Sequence, residues 1–269
     1  MAEARPEAGG TAEDRDLLEV LRLFAERAGK AVLASFIEAS SVLNLEQRPD
    51  GTPVTDADLA SEDLLTEALS RLTPDVPVLS EERLLREGVA LPLPPRYWLV
   101  DPLDGTDQFL SQNAEFSVNV ALIEEGQPIA GVVHAPALAM TWAGAGPGSA
   151  AFSQTDQPPM AIAARTCPPE GGLLFLHRYQ AHDASLAYAQ RHYSIVKHYQ
   201  SGGGLLFGFV ATGQADFYAH LEPSYEWTSA AGQAILTAAG GGVVTGEGEP
   251  LRYGKPSFLN SGYVAHGKR

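Results

Sequence analysis

The sequence has a single cysteine, Cys167, among 269 residues. An internal disulfide is therefore excluded, and a reducing compartment suits the chain. No run of eighteen apolar residues occurs, so no segment has the length of a membrane-spanning helix. Residues 1–12 carry no apolar stretch of the signal-peptide kind and read as a disordered tail, which points to a cytoplasmic protein. Positive charge is also scarce. Against 33 Asp and Glu stand 18 Lys and Arg, a net charge of −15 that repels polymeric nucleic acid and anionic membrane. A small anionic metabolite remains admissible if cations reverse the sign inside its site. There is no internal repeat.

What is present is regular patterning. Leu17, Leu21, Phe24, Ala28, Val32 and Phe36 recur at intervals of three to four, which predicts an amphipathic helix from Asp16 to about Ser41. A second helix is predicted from about Ala57 to Leu72, ended by Pro74 and Pro77. Val76 to Ser80 then reads as a short strand and Arg83 to Arg96 as a proline-rich loop. Strands are expected at Tyr97–Val100, Phe116–Ile123, Ile129–His134 and Met140–Ala143, with a hairpin at Gly126. Beyond the small-residue run Gly144–Pro159, strands alternate with helices, the last of these near Thr228–Ala239. Two helices, a meander and then alternation imply an α+β half, 13–150, joined to an α/β half, 151–269.

The chemistry concentrates in Trp98-Leu99-Val100-Asp101-Pro102-Leu103-Asp104-Gly105-Thr106. A strand delivers Asp101 at its end, Pro102 stiffens the following turn, and Gly105 permits a backbone conformation costly for other residues. Two carboxylates three residues apart can converge, with the Leu103 carbonyl between them, as an all-oxygen set suited to Mg²⁺. Alone, the pattern is equally that of a plain turn. Two further features tilt the balance: Glu81 and Glu82 follow the strand ending at Ser80, and Asp58 opens a helix after Thr55. For Asp58 a capping role needs no catalysis.

Taken in order, Pro53-Val54-Thr55 with Asp58, then Leu79-Ser80-Glu81-Glu82, then Trp98 to Thr106 with Phe109, resemble the inositol monophosphatase superfamily. The likeness is strongest to its bacterial 3'(2'),5'-bisphosphate nucleotidase branch. Glu115–Asn119, Gly131–Pro136 and Ser257–Asn260 extend it from about residue 16 to the C-terminus. The resemblance implies a layered α-β-α-β-α sandwich and a lithium-sensitive phosphatase using two or three Mg²⁺ ions. It implies that Glu81, Asp101 and the Leu103 carbonyl hold one ion, that Asp101 and Asp104 share a second, and that Asp58, Thr106 and Glu81 are catalytic. Gly105, Thr106, Gly203 and Gly204 would touch the substrate, a small phosphorylated metabolite such as 3'-phosphoadenosine 5'-phosphate. A homodimer is compatible with this reading.

Two departures stand out. Where the family has Trp-Asp-x-Ala-Ala-Gly, with the aspartate a ligand of the second metal, this chain has Trp227-Thr228-Ser229-Ala230-Ala231-Gly232. Thr228 is a far poorer partner for a hard dication, though a good helix N-cap. Glu226 is a conceivable substitute. Where the nucleotidases have Gly-Ser-Ser-Leu-Lys, this chain has Gly202-Gly203-Gly204-Leu205-Leu206, losing two hydroxyls and a cation. Its amides are either an anion site at a helix start or a plain loop. The competing expectation is a weakened or inactive homologue that binds a phosphorylated ligand or a partner, or else an inositol or sugar monophosphatase. His177, His182, His192 and His198 have no metal-ligand spacing, and Trp227 reads as a packing residue.

Overall fold

Leu18, Leu21, Ala25, Ala28 and Val32 form the buried stripe of the first helix, α1 (Ala12–Glu38). They lie against a second helix and a large sheet. The computed structural model describes residues 10–38, 45–48, 51–89, 91–154, 157–168, 173–178 and 183–269. The tail before Gly10, the expected end of α1 near Ser41 and His182 lie outside the described residues.

A hairpin of β1 (Leu45–Gln47) and β2 (Pro53–Thr55) leads into α2 (Asp56–Leu72). Then come β3 (Val78–Ser80), α3 (Glu81–Glu87), β4 (Arg96–Asp104) and α4 (Thr106–Leu110). The meander follows as β5 (Ser117–Glu124), β6 (Gln127–Ala135), β7 (Met140–Ala145), β8 (Ala151–Gln154) and β9 (Met160–Ala161). Strands β3 to β9 form one sheet in chain order, with β3 and β4 parallel and the remaining pairs antiparallel. The sheet of the first half thus continues past residue 150, because 146–150 close a turn between β7 and β8. Residues 83–87, expected as loop, belong to the helix α3; two glutamates in its first turn favour its N-terminus and Gly88, at φ 71°, ends it.

The second half gives β10 (Leu173–Arg178), α5 (Asp183–His192), β11 (Ile195–Ser201), α6 (Leu205–Ala211) and β12 (Phe217–His220). It closes with β13 (Ser224–Tyr225), α7 (Trp227–Ala238), β14 (Gly242–Thr245), β15 (Leu259–Asn260) and β16 (Tyr263–His266). A five-stranded sheet runs β11-β10-β12-β16-β14.

Alternation along the strands sorts the core. Trp98, Val100, Val118, Val120 and Leu122 pack with α1 and α2, whereas Tyr97, Leu99, Ala121 and Ile123 pack with α6 and α7 on the other face. Helix α6 also lies against β10, β12 and β16, and α5 covers the far side through Ala189, Phe217 and Val264. The layers are therefore α1/α2, sheet, α6/α7, sheet and α5, the five-layer order that the resemblance implies.

Candidate active site

In a regular strand Asp101 and Asp104, three residues apart, would point to opposite faces. The register prevents this. Asp101 pairs with Asn119 and Asp104 with Ser117, so three steps on β4 match two on β5 and one extra residue is accommodated as a bulge. Asn119 and Ser117 share a face, and the bulge puts both aspartates on it. The segment expected as a turn is therefore a bulged strand end. Pro102, which has no N–H to offer a ladder, sits inside the bulge. The Ser61 hydroxyl of α2 donates to the Pro102 carbonyl at 2.8 Å and ties the bulge down. Gly105, at φ 93°, then starts α4, where the Thr106 hydroxyl donates to the Leu103 carbonyl at 3.3 Å.

Asp101 and Asp104 are buried, and Asn119 donates to Asp104 Oδ2 at 3.1 Å. Glu81, at the start of α3, lies beside Asp101. Burial pushes the Glu81 carboxyl up to about 8, with Glu82 and Asp58 adding to the shift and Arg48 opposing it. Asp101 is raised by burial and then by Glu81 and Asp104. Asp58 is fully buried in α2's capping box, where its Oδ2 accepts from the Thr55 amide at 2.8 Å and the Thr55 hydroxyl at 2.6 Å. Burial nevertheless raises it to about 6.

The residue that sequence reasoning missed is Arg48. Its guanidinium forks onto Glu82, with Nε to Oε2 at 3.0 Å and Nη2 to Oε1. The same Nη2 lies 3.4 Å from Asp58 Oδ1 and 3.5 Å from Glu81 Oε1. The hairpin turn carries no sign of this, because Glu82 is 34 residues away in sequence. Asp58 and Thr106, both expected to be catalytic, are not hydrogen-bonded to each other: Asp58 is engaged by Thr55 and Arg48, and Thr106 by Leu103.

Among the described residues no three His, Cys, Asp or Glu side chains already converge as metal ligands. The donor set nonetheless fits a hard dication. Asp101 Oδ1 is buried without a hydrogen-bond partner, beside two further carboxylates that repel it. A cation supplies what that oxygen lacks. Helix α7 adds nothing comparable. Thr228 is not the N-cap but the second helical residue, since the helix begins at Trp227 with Glu226 in the N-cap position, and its hydroxyl donates to the Tyr225 carbonyl at 2.9 Å. Glu226 does not replace the missing ligand. It is fully buried and accepts from the Gly254 amide at 2.7 Å and from Lys255 Nζ at 2.9 Å.

The glycine run does reach the acidic site: a Cβ on Gly203 would lie 3.5 Å from Asp104 Oδ2, and one on Gly204 would meet Asn119 at 2.9 Å. Its amides are largely engaged within the protein, Gly202 donating to Glu115 at 2.8 Å and Gly204 to Ser117 at 3.3 Å. Leu206 is fully buried, as is usual for an apolar side chain, and Trp227 is a packing residue stacked on Tyr225.

The chain belongs to the inositol monophosphatase family, whose sequence profile matches residues 13–269, and it is a hydrolase of the phosphatase class. It is 38% identical over 251 residues to the 3'(2'),5'-bisphosphate nucleotidase CysQ of Salmonella typhimurium, covering 92% of this chain and 98% of that one. It is 36% identical over 259 residues to CysQ of Escherichia coli, with the same coverage of 92% and 98%. Among solved structures, CysQ from Bacteroides thetaiotaomicron superposes with a TM-score of 0.75 at 26% identity, covering 94% of this chain and 98% of the other. An inositol monophosphatase from Thermotoga maritima shares the fold, with a TM-score of 0.74 at 22% identity and coverage of 93% and 92%. Among the described residues no helix is long and apolar enough to cross a membrane.

Proposed function

We propose that the chain is a Mg²⁺-dependent hydrolase of small phosphate monoesters, and that its substrate is the 3'-phosphate of 3'-phosphoadenosine 5'-phosphate. The observation that carries this is the bulge in β4, which gathers Asp101 and Asp104 on one face beside Glu81 and leaves Asp101 Oδ1 unpartnered. The nucleotidase relatives, similar over nearly their whole length, favour a bisphosphorylated nucleotide over inositol phosphate.

Glu81, Asp101 and the Leu103 carbonyl would hold one ion, and Asp101 with Asp104 a second that receives no carboxylate from position 228. Bound there, Mg²⁺ would neutralise the nonbridging phosphate oxygens and favour an in-line oxygen nucleophile. The protein's own part is positional and protonic. Thr106, fixed at the start of α4, would orient the attacking water. Asp58, raised to about 6, would accept its proton once Oδ1 is free of Arg48. Glu81 would contribute to catalysis through the ion it holds. Gly105, Gly203 and Gly204, which pack closely on the residues around Asp104, would bring their backbone to the substrate there.

The test is release of inorganic phosphate from 3'-phosphoadenosine 5'-phosphate and from inositol 1-phosphate, each with and without Mg²⁺. Mg²⁺-dependent release that is faster from the nucleotide supports the proposal. Release from inositol phosphate alone would move the substrate, and release from neither would remove the activity.

A further inference from the structure

Among the described residues Arg48 is the cation that pairs with Asp58, Glu81 and Glu82, and its place there is built rather than incidental. Its backbone is held by the β1–β2 hairpin, with Arg48 N donating to the Thr52 carbonyl and Gly51 N to the Arg48 carbonyl, both at 2.9 Å. Nη1 donates to the Thr52 hydroxyl at 3.0 Å. The side chain is only 7% exposed. Nε and Nη2 together grip Glu82, which is not among the proposed metal ligands. The single atom Nη2, with two hydrogens, faces three carboxylates: Glu82, Asp58 at 3.4 Å and Glu81 at 3.5 Å.

From this geometry we infer that Arg48 is an internal competitor for the dication site, its Nη2 occupying the side of Glu81 that a divalent cation must win. The inference rests on the metal-dependent reading of the site and deepens it with a residue that sets metal affinity. The reasoning is electrostatic. A guanidinium and a dication sharing Glu81 repel each other across a few ångströms of poorly solvated protein, where charges act far more strongly than in water. Binding therefore requires Nη2 to release Glu81. The fork on Glu82 makes that exchange partial, because Nε and Nη2, fixed in one planar group, keep the guanidinium at the cluster while Nη2 gives up its contact with Glu81. Arg48 thus has two opposed effects: it stabilises the carboxylates against their mutual repulsion, and it weakens their hold on a cation. It also keeps Asp58 from serving as a proton acceptor until the exchange has occurred.

The experiment is direct Mg²⁺ binding by calorimetric titration, with melting temperatures at zero and saturating Mg²⁺, on the wild type, Arg48→Gln, Arg48→Lys and Glu82→Gln. Removing the charge in Arg48→Gln should tighten Mg²⁺ binding about tenfold and lower the melting temperature without Mg²⁺. Arg48→Lys, which keeps the charge, should stay within about threefold of the wild-type affinity. Glu82→Gln, which removes a negative charge and leaves the guanidinium to Glu81, should weaken binding; it reads the same competition should Arg48→Gln not fold. Unchanged or weaker binding in Arg48→Gln, equal tightening in Arg48→Lys, or tighter binding in Glu82→Gln would overturn the inference, as would no Mg²⁺ binding by any of them. No substrate enters the measurement. A protein that shows the predicted Mg²⁺ pattern and releases no phosphate would therefore sink the proposed reaction and leave the role of Arg48 standing.

Discussion

Thr228 concentrates the question of how far this chain has moved from its relatives. Trp227 and Ala230-Ala231-Gly232 fix the register of α7's first turn, so an aspartate at 228 would stand where the resemblance places a metal ligand. As the second residue of the helix it would also face the positive end of the helix dipole, which tolerates it well. Thr228→Asp should accordingly bind Mg²⁺ more tightly, by at least about tenfold, and release phosphate faster. Without Mg²⁺ its melting temperature should fall, because the new charge joins Asp101 and Asp104. Lithium inhibition at saturating Mg²⁺ should differ between the two proteins. Identical Mg²⁺ titrations and identical lithium curves would show that position 228 does not face the metal site. At this scale the sequence was legible where motif residues lie close together, as with Asp101 and Asp104 or Thr55 and Asp58. It was silent on Arg48, whose partners are brought to it only by the docking of α2 and α3.

Strand β6 is the element on which two helices dock, and both contacts can be tested. On one side Gly131 lets α7 approach so closely that a Cβ would stand 2.6 Å from the Ala231 carbonyl oxygen, a backbone atom that cannot yield alone. Gly131→Ala should cost about 2 kcal/mol, seen as a melting temperature lower by roughly 4–8 °C. An unchanged melting temperature would mean that α7 has room to shift. On the other side His134, buried beneath Gly29 of α1 and within 2.8 Å of the Thr141 hydroxyl, is pushed by burial down to about 4. A depressed histidine stabilises the fold above its unfolded value near 6.5, and that stability is lost as pH falls toward the folded value of about 4. Relative to His134→Gln, the wild type should lose roughly 3 kcal/mol between pH 7 and pH 4. Parallel stability curves for the two proteins would show that His134 titrates normally. Elements such as α1, α2 and the meander were legible from periodicity alone. Helix α3 was not, because seven residues give too few turns to show a period and the prolines after Leu91 suggested a loop. The bulge in β4 was hidden for another reason: register is a relation between strands, and Asp-Pro-x-Asp-Gly read in isolation looks like a turn.

In the whole molecule, the large sheet is buried on both faces, and the acidic site lies where it meets α2, α3 and the α6–α7 layer. The division into an α+β and an α/β half could be anticipated from the succession of helices, meander and alternation, and the layered order from the family resemblance. The continuation of the first sheet through β9 could not, since small residues at 144–150 serve a hairpin as readily as a linker. A net charge of −15 with five buried carboxylates at one site makes the folded chain a poor host for its own charge. Cation binding should therefore raise the melting temperature. If this cluster performs the chemistry, Asp104→Asn must remove it. The variant removes one charge from a repelling set and keeps a side chain able to bond Asn119, so it should fold and be at least as stable without Mg²⁺. Phosphate release from 3'-phosphoadenosine 5'-phosphate at saturating Mg²⁺ should drop by about 100-fold or more relative to the wild type. A folded Asp104→Asn protein that turns over as fast as the wild type would contradict the account.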